Sequence, residues 1–164
     1  MNAQLFLPLA PYIQVRDGND LAASIANRHY SRIWRGNVTQ QRLTTHKRMI
    51  LVEPTGTWVF VWNTQKWRHD NQSGANCVLF RNESSLLSSE IILMAEAEWN
   101  KQHGDCRKFT YIHPGLIRSN NPGFCFQKAG WIKTSRRSQN GLVLLTKEVS
   151  QTEKPQIDSQ QPDR

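Results

Sequence analysis

Cysteine is scarce in this chain of 164 residues, and its three copies follow no recognisable pattern. Cys77, Cys106 and Cys125 form no CxxC pair, so the sequence predicts free thiols and disfavours a disulfide framework. The five histidines likewise show no HxH or HxxxH spacing. The spacing therefore indicates no metal site, and a site that the fold itself assembles, with His29 among its ligands, is left as an alternative.

Long apolar runs are also missing. The N-terminal MNAQLFLPLAPYIQV is apolar in character, but Pro8 and Pro11 interrupt it and it has no basic start. The segment therefore predicts neither a signal peptide nor a membrane-spanning helix. We expect a cytoplasmic protein without a membrane partner.

Acidic residues are outnumbered, 13 against 21 lysines and arginines, which gives a formal net charge of +8. The segment 150–164 holds three acidic and two basic residues, so residues 1–149 carry +9. Such an excess favours a polyanionic partner, with nucleic acid ahead of a membrane. A hydrophobic content of 38% fits one globular domain over residues 1–149. The tail at 150–164, rich in Gln, Ser, Pro and Asp, is expected to be disordered.

Apolar spacing and turn residues divide the body into helices and strands. Asp20 is expected to cap a helix that reaches about Tyr30 and ends in the basic, aromatic run NRHYSRIWRGN. The segments MILVE and WVFVW predict a hairpin around the turn 54–57, and CVLFR predicts a central strand at 77–81. The polar loop NTQKWRHDNQSGAN between them is either a binding loop or a flexible excursion. A serine-rich turn then leads into a long helix that Gly104 ends.

The stretch 107–131, RKFTYIHPGLIRSNNPGFCFQKAGW, contains the next elements. Its pattern predicts a buried strand at Lys108–Ile112, a basic loop, and a short helix that Asn121 caps and Pro122 opens. Gly130 suits the left-handed residue past the helix end, and a hairpin turning at 140–141 follows. Three aromatic residues are expected to pack this helix against the sheet: Phe124, Phe126 and Trp131. A polar loop between a strand and a capped helix is a common place for small-molecule chemistry.

Three separated motifs carry a resemblance to known proteins. The run NPGFCFQKAGW is similar to the NxxxxxFYxKxGF-type helix of the GNAT acyltransferases. Together, NRHYSR, FRNE followed by SSE, and TYIHPGLIRSNNPGFCFQKAGW resemble more closely the Mom family of phage DNA-modification proteins. The resemblance implies an α+β, GNAT-like single domain with a central mixed, mostly antiparallel, twisted sheet flanked by helices. It also implies an enzyme that converts adenine in double-stranded DNA to N6-(carbamoylmethyl)adenine in the host cytoplasm, which protects phage DNA against host restriction.

The same resemblance places candidate residues. The catalytic positions that it implies are His29, Tyr30 and Tyr111, and the donor-binding positions are Asn82, Glu83, Ser88 and Ser89. An adenine N6 amine is a poor nucleophile because its lone pair is delocalised into the ring, so it must lose a proton as the new bond forms. His29 is the expected base, and the tyrosines are expected to hydrogen-bond the donor, relay a proton or stack on the base. For either tyrosine alone, a half-buried place in the core is the alternative.

Access to the amine sets a second requirement. Adenine N6 takes part in a Watson–Crick hydrogen bond, so the base is expected to be flipped or at least distorted. Arginines are expected to hold the phosphates meanwhile, although those near the first helix also fit an ordinary solvated helix end. The candidates are Arg28, Arg32, Arg35, Arg68, Arg118, Arg136 and Arg137.

The glycine loop of the GNAT pattern is absent. No R/QxxGxG/A sequence follows the central strand, and SSLLSS stands in its place. Glycines there would let backbone N–H groups approach a pyrophosphate closely. We therefore expect an acyl or glycyl-type donor, free or carrier-bound, and not coenzyme A bound in the usual way. The alternatives are a GNAT N-acyltransferase acting on a protein or small amine and, outside the enzymes, a non-catalytic DNA-binding module.

Overall fold

The computed structural model describes residues 11–36, 41–43 and 47–150. The strands are β1 (Ile13–Val15), β2 (Lys47–Val52), β3 (Trp58–Thr64), β4 (Ala75–Asn82), β5 (Lys108–Ile112), β6 (Ile132–Arg137) and β7 (Val143–Lys147). The helices are α1 (Asp20–Ala26), α2 (Tyr30–Trp34), α3 (Ser88–His103) and α4 (Phe124–Lys128). None of the described helices has the length and apolarity needed to cross a bilayer. All but the first residue of the tail predicted at 150–164 lies outside the described residues.

All seven described strands belong to one sheet, in the order β1-β2-β3-β4-β5-β7-β6. β4 and β5 run parallel, and the other described neighbours are antiparallel. A parallel pair needs a long crossover connection, and α3 supplies it between β4 and β5. The expected α+β domain, with a mixed, mostly antiparallel sheet flanked by helices, is confirmed.

The sheet buries apolar side chains on both of its faces. Met49 and Leu51 of β2 belong to a core shared with α3 and α4, whereas Ile50 and Val52 belong to a second core shared with α1. Successive side chains of a strand point to opposite faces, so a strand that is covered on both faces is apolar throughout. This explains why β2 and β3 show continuous apolar runs and no strict alternation.

β4 and β5 separate soon after they meet. Their pairing joins Ala75–Cys77 to Lys108–Thr110 and goes no further. β4 nevertheless continues to Asn82, and β5 continues to Ile112. A gap therefore opens in the sheet between the ends of these two strands.

A bulge in β4 lies at the point where the gap begins. The register between β3 and β4 shifts at Val61 and Trp62. Their partners, Leu79 and Cys77, leave Val78 as the extra residue on β4. A bulge bends its strand and increases the local twist, which accounts for the end of β4 turning away from β5.

The first helix differs from the sequence prediction at both ends. It stops at Ala26, not near Tyr30, and its cap is Asn19, not Asp20. The Asn19 side chain accepts a backbone hydrogen bond at 3.0 Å, which satisfies one free N–H of the first turn. A turn at residues 27–29 then separates α1 from the short helix α2.

The start of α4 also differs from the prediction. The helix begins at Phe124 and its cap is Gly123, so neither Asn121 nor Pro122 has the expected role. Gly123 has φ of +86°, and a Cβ there would lie 3.0 Å from core isoleucine and leucine side chains. The position requires glycine for both its backbone conformation and its close approach to the sheet. Phe124 is 51% exposed and does not pack as expected.

Several other predictions are confirmed. β5 has the predicted bounds, Lys108–Ile112, and Gly104 ends α3. Gly130 follows α4 with φ of +90°, as a left-handed residue past a helix end should. Phe126 and Trp131 are buried against the sheet. The two predicted hairpins correspond to β2–β3 and β6–β7.

A buried carboxylate ties α3 to the sheet. Glu96 is 6% exposed, and its two oxygens accept hydrogen bonds from Trp131 Nε1 at 2.5 Å and Lys147 Nζ at 2.6 Å. Lys147 Nζ also donates to the carbonyl of Ala129, just past α4, at 2.8 Å. These bonds fix α3, α4 and β7 relative to one another.

We expect Glu96→Ala to lower the free energy of unfolding by about 3 kcal/mol, because it removes the acceptor of a buried indole N–H and the carboxylate partner of the Lys147 ammonium group. Urea unfolding followed by circular dichroism measures the change. The control is Glu148→Ala, since Glu148 binds Arg107 at 3.0 Å but its side chain is 65% exposed. Its loss is expected to stay below about 1 kcal/mol. Equal losses in the two variants would contradict the special role of the buried carboxylate.

Candidate functional site

A cavity of about 640 Å³ lies where β4 and β5 separate. Its walls come from α2, from β4 and β5, and from the loop and helix that follow β5. The volume is in the usual range for a small-molecule site. Five of the predicted site residues line the cavity: His29, Tyr30, Arg35, Arg68 and Tyr111.

His29 lines the cavity at the start of α2. Its Nδ1 accepts the backbone N–H of Ser31 at 3.2 Å, which caps the helix, and lies 2.8 Å from the Ser31 hydroxyl. A ring nitrogen that accepts a backbone N–H carries no proton, so the neutral ring has its proton on Nε2. Burial, aided by the charges of Arg81 and Arg32, lowers the pKa of His29 to about 4. The imidazole is therefore neutral at pH 7.

This protonation state changes the role expected of His29. A general base must accept a proton, but Nδ1 is engaged in the helix cap and Nε2 already carries one. Nε2 makes no hydrogen bond with the described residues. The geometry therefore fits a hydrogen-bond donor to a ligand in the cavity better than the base expected from the sequence.

Tyr30 lies beside His29, with ring centroids 4.2 Å apart. Its hydroxyl oxygen accepts the backbone N–H of His113 at 3.4 Å. The hydroxyl proton has no acceptor among the described residues and is free for a ligand. Burial raises the pKa of Tyr30, so the phenol is protonated at neutral pH. Among the described cavity residues, Tyr30 is well placed to donate a proton.

Tyr111 is held by the loop between β3 and β4. Its hydroxyl donates to Asp70 Oδ2 at 3.0 Å, and Asp70 accepts two hydrogen bonds from Arg68, at 2.8 and 2.6 Å. The Arg68 guanidinium lies 4.9 Å from the ring of Phe109. Arg68 lowers the pKa of Asp70, and burial raises the pKa of Tyr111. The hydroxyl proton of Tyr111 is therefore committed to Asp70, and its ring orientation is fixed.

The four residues predicted to bind the donor lie at and beyond the end of β4, and none of them lines the cavity. The Asn82 amide donates to the Leu86 carbonyl at 2.8 Å and to Ser88 Oγ at 3.1 Å. Its oxygen accepts the backbone N–H of Ser84 at 2.9 Å. Asn82 therefore organises the turn between β4 and α3 with its own side chain.

Glu83 is also engaged within the protein. Arg28 donates to it twice, at 2.9 and 2.7 Å, and Arg81 donates once, at 2.5 Å. These arginines, Arg28 foremost, lower the pKa of Glu83 to about 2. An ionised carboxylate with two cationic partners is better explained as a structural link between the α1–α2 turn and β4 than as a group that binds the donor substrate.

The start of α3 keeps two backbone donors available. Leu87 occupies the cap position and supplies no side-chain hydrogen bond. The N–H groups of Ser88 and Ser89 have no acceptor among the described residues. Free N–H groups at the positive end of a sixteen-residue helix suit an anionic ligand group, so both serines remain candidates for donor binding.

The arginines predicted to bind DNA differ in their availability. Arg32 is 6% exposed and donates to Asn27 at 2.9 Å, so it does not reach a phosphate and leaves the DNA-binding set. Arg28 and Arg68 are engaged by carboxylates, as described above. Arg136 donates to the Asp70 carbonyl at 3.4 Å. Within the predicted set, three exposed arginines have side chains that form no hydrogen bond or ion pair with the described residues: Arg35, Arg118 and Arg137.

Some residues that line the cavity, or that bind its lining residues as Asp70 does, were not predicted as site residues from the sequence. Asp70 has no pattern of its own, and its place after Arg68 and His69 in a long polar loop was the one available signal. Cys77 and Cys125 line the cavity as free thiols, as their spacing predicted. Burial raises the pKa of both thiols, so neither suits a nucleophile. Within the described ranges, no three His, Cys, Asp or Glu side chains converge on a possible metal position.

Comparison with known proteins supports the fold. No protein-family model and no curated protein sequence matches the chain. Among solved structures, the aminoglycoside acetyltransferase AAC(6′)-Ib in complex with coenzyme A is similar, with a TM-score of 0.56, 15% identity, and coverage of 84% of this chain and 94% of that one. The GNAT domain of S. lividans PAT is similar too, with a TM-score of 0.57, 15% identity and coverage of 84% and 89%. The chain therefore has the GNAT fold.

The buried His29 predicts a pH dependence of stability. Its pKa of about 4 in the folded protein lies below the ordinary 6.5, so protons bind the unfolded chain more tightly. Stability from this group is complete above about pH 6.5 and falls as the pH drops towards 4, by roughly 2 kcal/mol between pH 7 and 4.5. His29→Asn, which keeps a capping side chain, is expected to remove that part of the loss. Urea unfolding at the two pH values measures it.

The control is His69→Asn, since His69 is exposed. It should leave the difference between the two pH values as in the unmodified protein. An unchanged pH dependence in His29→Asn would contradict the neutral, buried imidazole.

Proposed function

We propose that the protein is a transferase that modifies the N6 amine of adenine in DNA, with N6-(carbamoylmethyl)adenine as the product and protection of phage DNA from host restriction as the purpose. The observation that carries the proposal is the pair of Tyr30, with its uncommitted hydroxyl proton, and neutral His29 in one cavity. The GNAT fold supports transfer to an amine. The resemblance carried by the three sequence motifs implies that this amine is the N6 amine of adenine.

The charge around the cavity supports an anionic acceptor. Arg35 lines the cavity without an ion-pair partner in the described chain, and Arg118 lies between two lining residues of the loop after β5. The carboxylate of Asp70 is neutralised by Arg68, and that of Glu83 is bound by both Arg28 and Arg81. A polycationic acceptor would meet unfavourable charge here, whereas a phosphate backbone would be attracted.

The reaction requires proton movement around N6. As the new N–C bond forms, the leaving group of the donor departs with the bonding electrons, and N6 loses a proton. Tyr30 can give its proton to the leaving group and take up the proton that N6 releases, which returns the phenol to its starting state. The Nε2–H of His29 can hydrogen-bond the donor as negative charge develops on it.

The depth of the site implies that the adenine leaves the helix. An N6 amine inside a paired duplex does not reach residues such as Tyr30, which is largely enclosed. Flipping costs on the order of a few kcal/mol, and contacts between exposed arginines and the flanking phosphates are expected to offset it.

The donor is proposed to lie between the cavity and the start of α3. The turn from Ser84 to Ser89 contains no glycine, so a pyrophosphate held by a glycine loop is not expected there. The free N–H groups of Ser88 and Ser89 suit an anionic or carbonyl group of an acyl or glycyl-type donor.

A second candidate function is N-acyl transfer to a protein or small amine. It is favoured by the similar fold of an aminoglycoside acetyltransferase that is bound to coenzyme A. The arginine-rich surroundings of the cavity disfavour a cationic acceptor but leave other amines open. A non-catalytic DNA-binding module would use the same arginines without the reaction.

Mass spectrometry of nucleosides from the DNA of cells that express the protein tests these functions. We expect a new adenine nucleoside, and Tyr30→Phe is expected to reduce it by about 100-fold or more because the proton donor is lost. Tyr12→Phe is the control, since its hydroxyl binds Glu98 at 2.8 Å and Tyr12 does not line the cavity. Acylated protein or amine with unaltered DNA would support the second function, and salt-sensitive DNA binding without any product would support the third.

DNA binding should depend on the unpaired arginines. Arg118→Ala is expected to reduce the slope of log K against log salt by about 1, because one phosphate contact is lost. Arg28→Ala is the control, since Arg28 is bound to Glu83 through two hydrogen bonds. Fluorescence anisotropy of a labelled duplex over a range of salt concentrations gives the slopes. A larger change in Arg28→Ala than in Arg118→Ala would contradict this assignment.

A further inference from the structure

Trp34 is an exposed aromatic residue inside the candidate site. It is the last residue of α2, lines the cavity and is 59% exposed. Of the six tryptophans, Trp34 and Trp67 are exposed and the other four are at most 3% exposed. A large ring left in water beside a cavity gains free energy when a flat ligand covers it. The proposed reaction chemistry does not use this side chain.

The surroundings of Trp34 differ from those of the other exposed rings. Lys128 Nζ lies 5.4 Å from the ring of Phe124, and Lys66 Nζ lies 5.4 Å from the ring of Trp67. Trp34 is supported by the tilted ring of His113, with centroids 5.4 Å apart. No cation covers the Trp34 ring among the described residues. The indole is therefore braced on one side and accessible to a stacking partner.

The neighbouring residue supplies a charge. Arg35 is exposed, lines the same cavity and has no ion pair with the described residues. An accessible aromatic ring beside an unpaired guanidinium is the combination that binds a nucleotide, since the ring stacks on the base and the cation binds the phosphate.

We propose that Trp34 and Arg35 form a nucleotide subsite, in which the flipped base stacks on the Trp34 indole and Arg35 binds an adjacent phosphate. The subsite rests on the proposed function for the identity of the base, adenine in DNA. It gives that base a place at the α2 side of the cavity, next to Tyr30. The subsite also gives Trp34 a role in specificity, because a flat ring system gains binding free energy by stacking on the indole and an aliphatic amine does not.

Tryptophan fluorescence tests the subsite directly. The probe is a duplex oligodeoxynucleotide with one adenine opposite an abasic position, and the comparison duplex lacks that adenine. The adenine-containing duplex is expected to quench the protein and Trp67→Phe, but not Trp34→Phe, because Trp67 lies outside the subsite and the other four tryptophans are buried. Quenching that persists in Trp34→Phe and disappears in Trp67→Phe would overturn the proposal.

The affinity of the variants for the two duplexes is a second test that does not depend on tryptophan fluorescence. Trp34→Ala is expected to weaken binding of the adenine-containing duplex roughly tenfold and to leave the comparison duplex unaffected, whereas Trp34→Phe should restore most of the loss. Equal weakening on both duplexes would overturn the subsite. Saturable quenching by 3′,5′-ADP with none by the duplex would also overturn it, since the ring would then serve a nucleotide donor. Thermal unfolding of each variant checks that the substitution at this exposed position leaves the fold intact.

Nucleoside mass spectrometry on the same variants separates this proposal from the proposed function. If the duplex quenches the fluorescence and Trp34→Ala binds it tenfold more weakly, but no modified adenine is found, the subsite is supported and the transferase function is contradicted. If Trp34→Ala produces modified adenine at an unchanged level, the transferase function is supported and the subsite is contradicted.

Discussion

The site depends on a parallel strand pair that is only three residue pairs long. β4 and β5 meet at Ala75–Cys77 and Lys108–Thr110, and the bulge at Val78 then turns β4 aside. Each strand keeps its antiparallel partner on the other side, so the sheet opens without coming apart. Backbone groups that a longer pairing would have satisfied face the opening instead, and buried polar backbone needs a partner. Tyr30 provides one by accepting the His113 N–H.

The strands were predictable because burial on both faces leaves a strong signal. Continuous apolar runs in β2 and β3 allow few other interpretations, and β5 was placed with the bounds that the structure shows. The long helix α3 and the two hairpins followed from glycine positions and spacing. The opening between β4 and β5 left no such signal, because the bulge at Val78 depends on register with a neighbouring strand and not on residue type.

The chemistry at the site was harder to predict, because it depends on contacts between distant segments. His29 was expected to be a base because the motif resemblance implied a catalytic position and histidine is a common general base. Its tautomer and low pKa come from the cap on Ser31 and from burial, which no local pattern shows. Similarly, Asp70 reaches Tyr111 across 41 residues of sequence. His29, Tyr30 and Tyr111 line one cavity, and their hydrogen bonds and protonation states could be read only from the structure.

Burial explains why the enclosed residues His29 and Tyr30 are uncharged, whereas charged arginines such as Arg35 lie where solvent reaches them. The same desolvation lowers the pKa of His29 and raises the pKa of Tyr30, so both rings are uncharged and carry a proton at neutral pH. The exposed, unpaired charge belongs to Arg35 on the cavity wall and to residues such as Arg118. A ligand that fits this division has an uncharged reacting part and an anionic remainder. The proposed substrate, an adenine extruded from DNA, would have both, since its amine is neutral and its flanking phosphates are anionic.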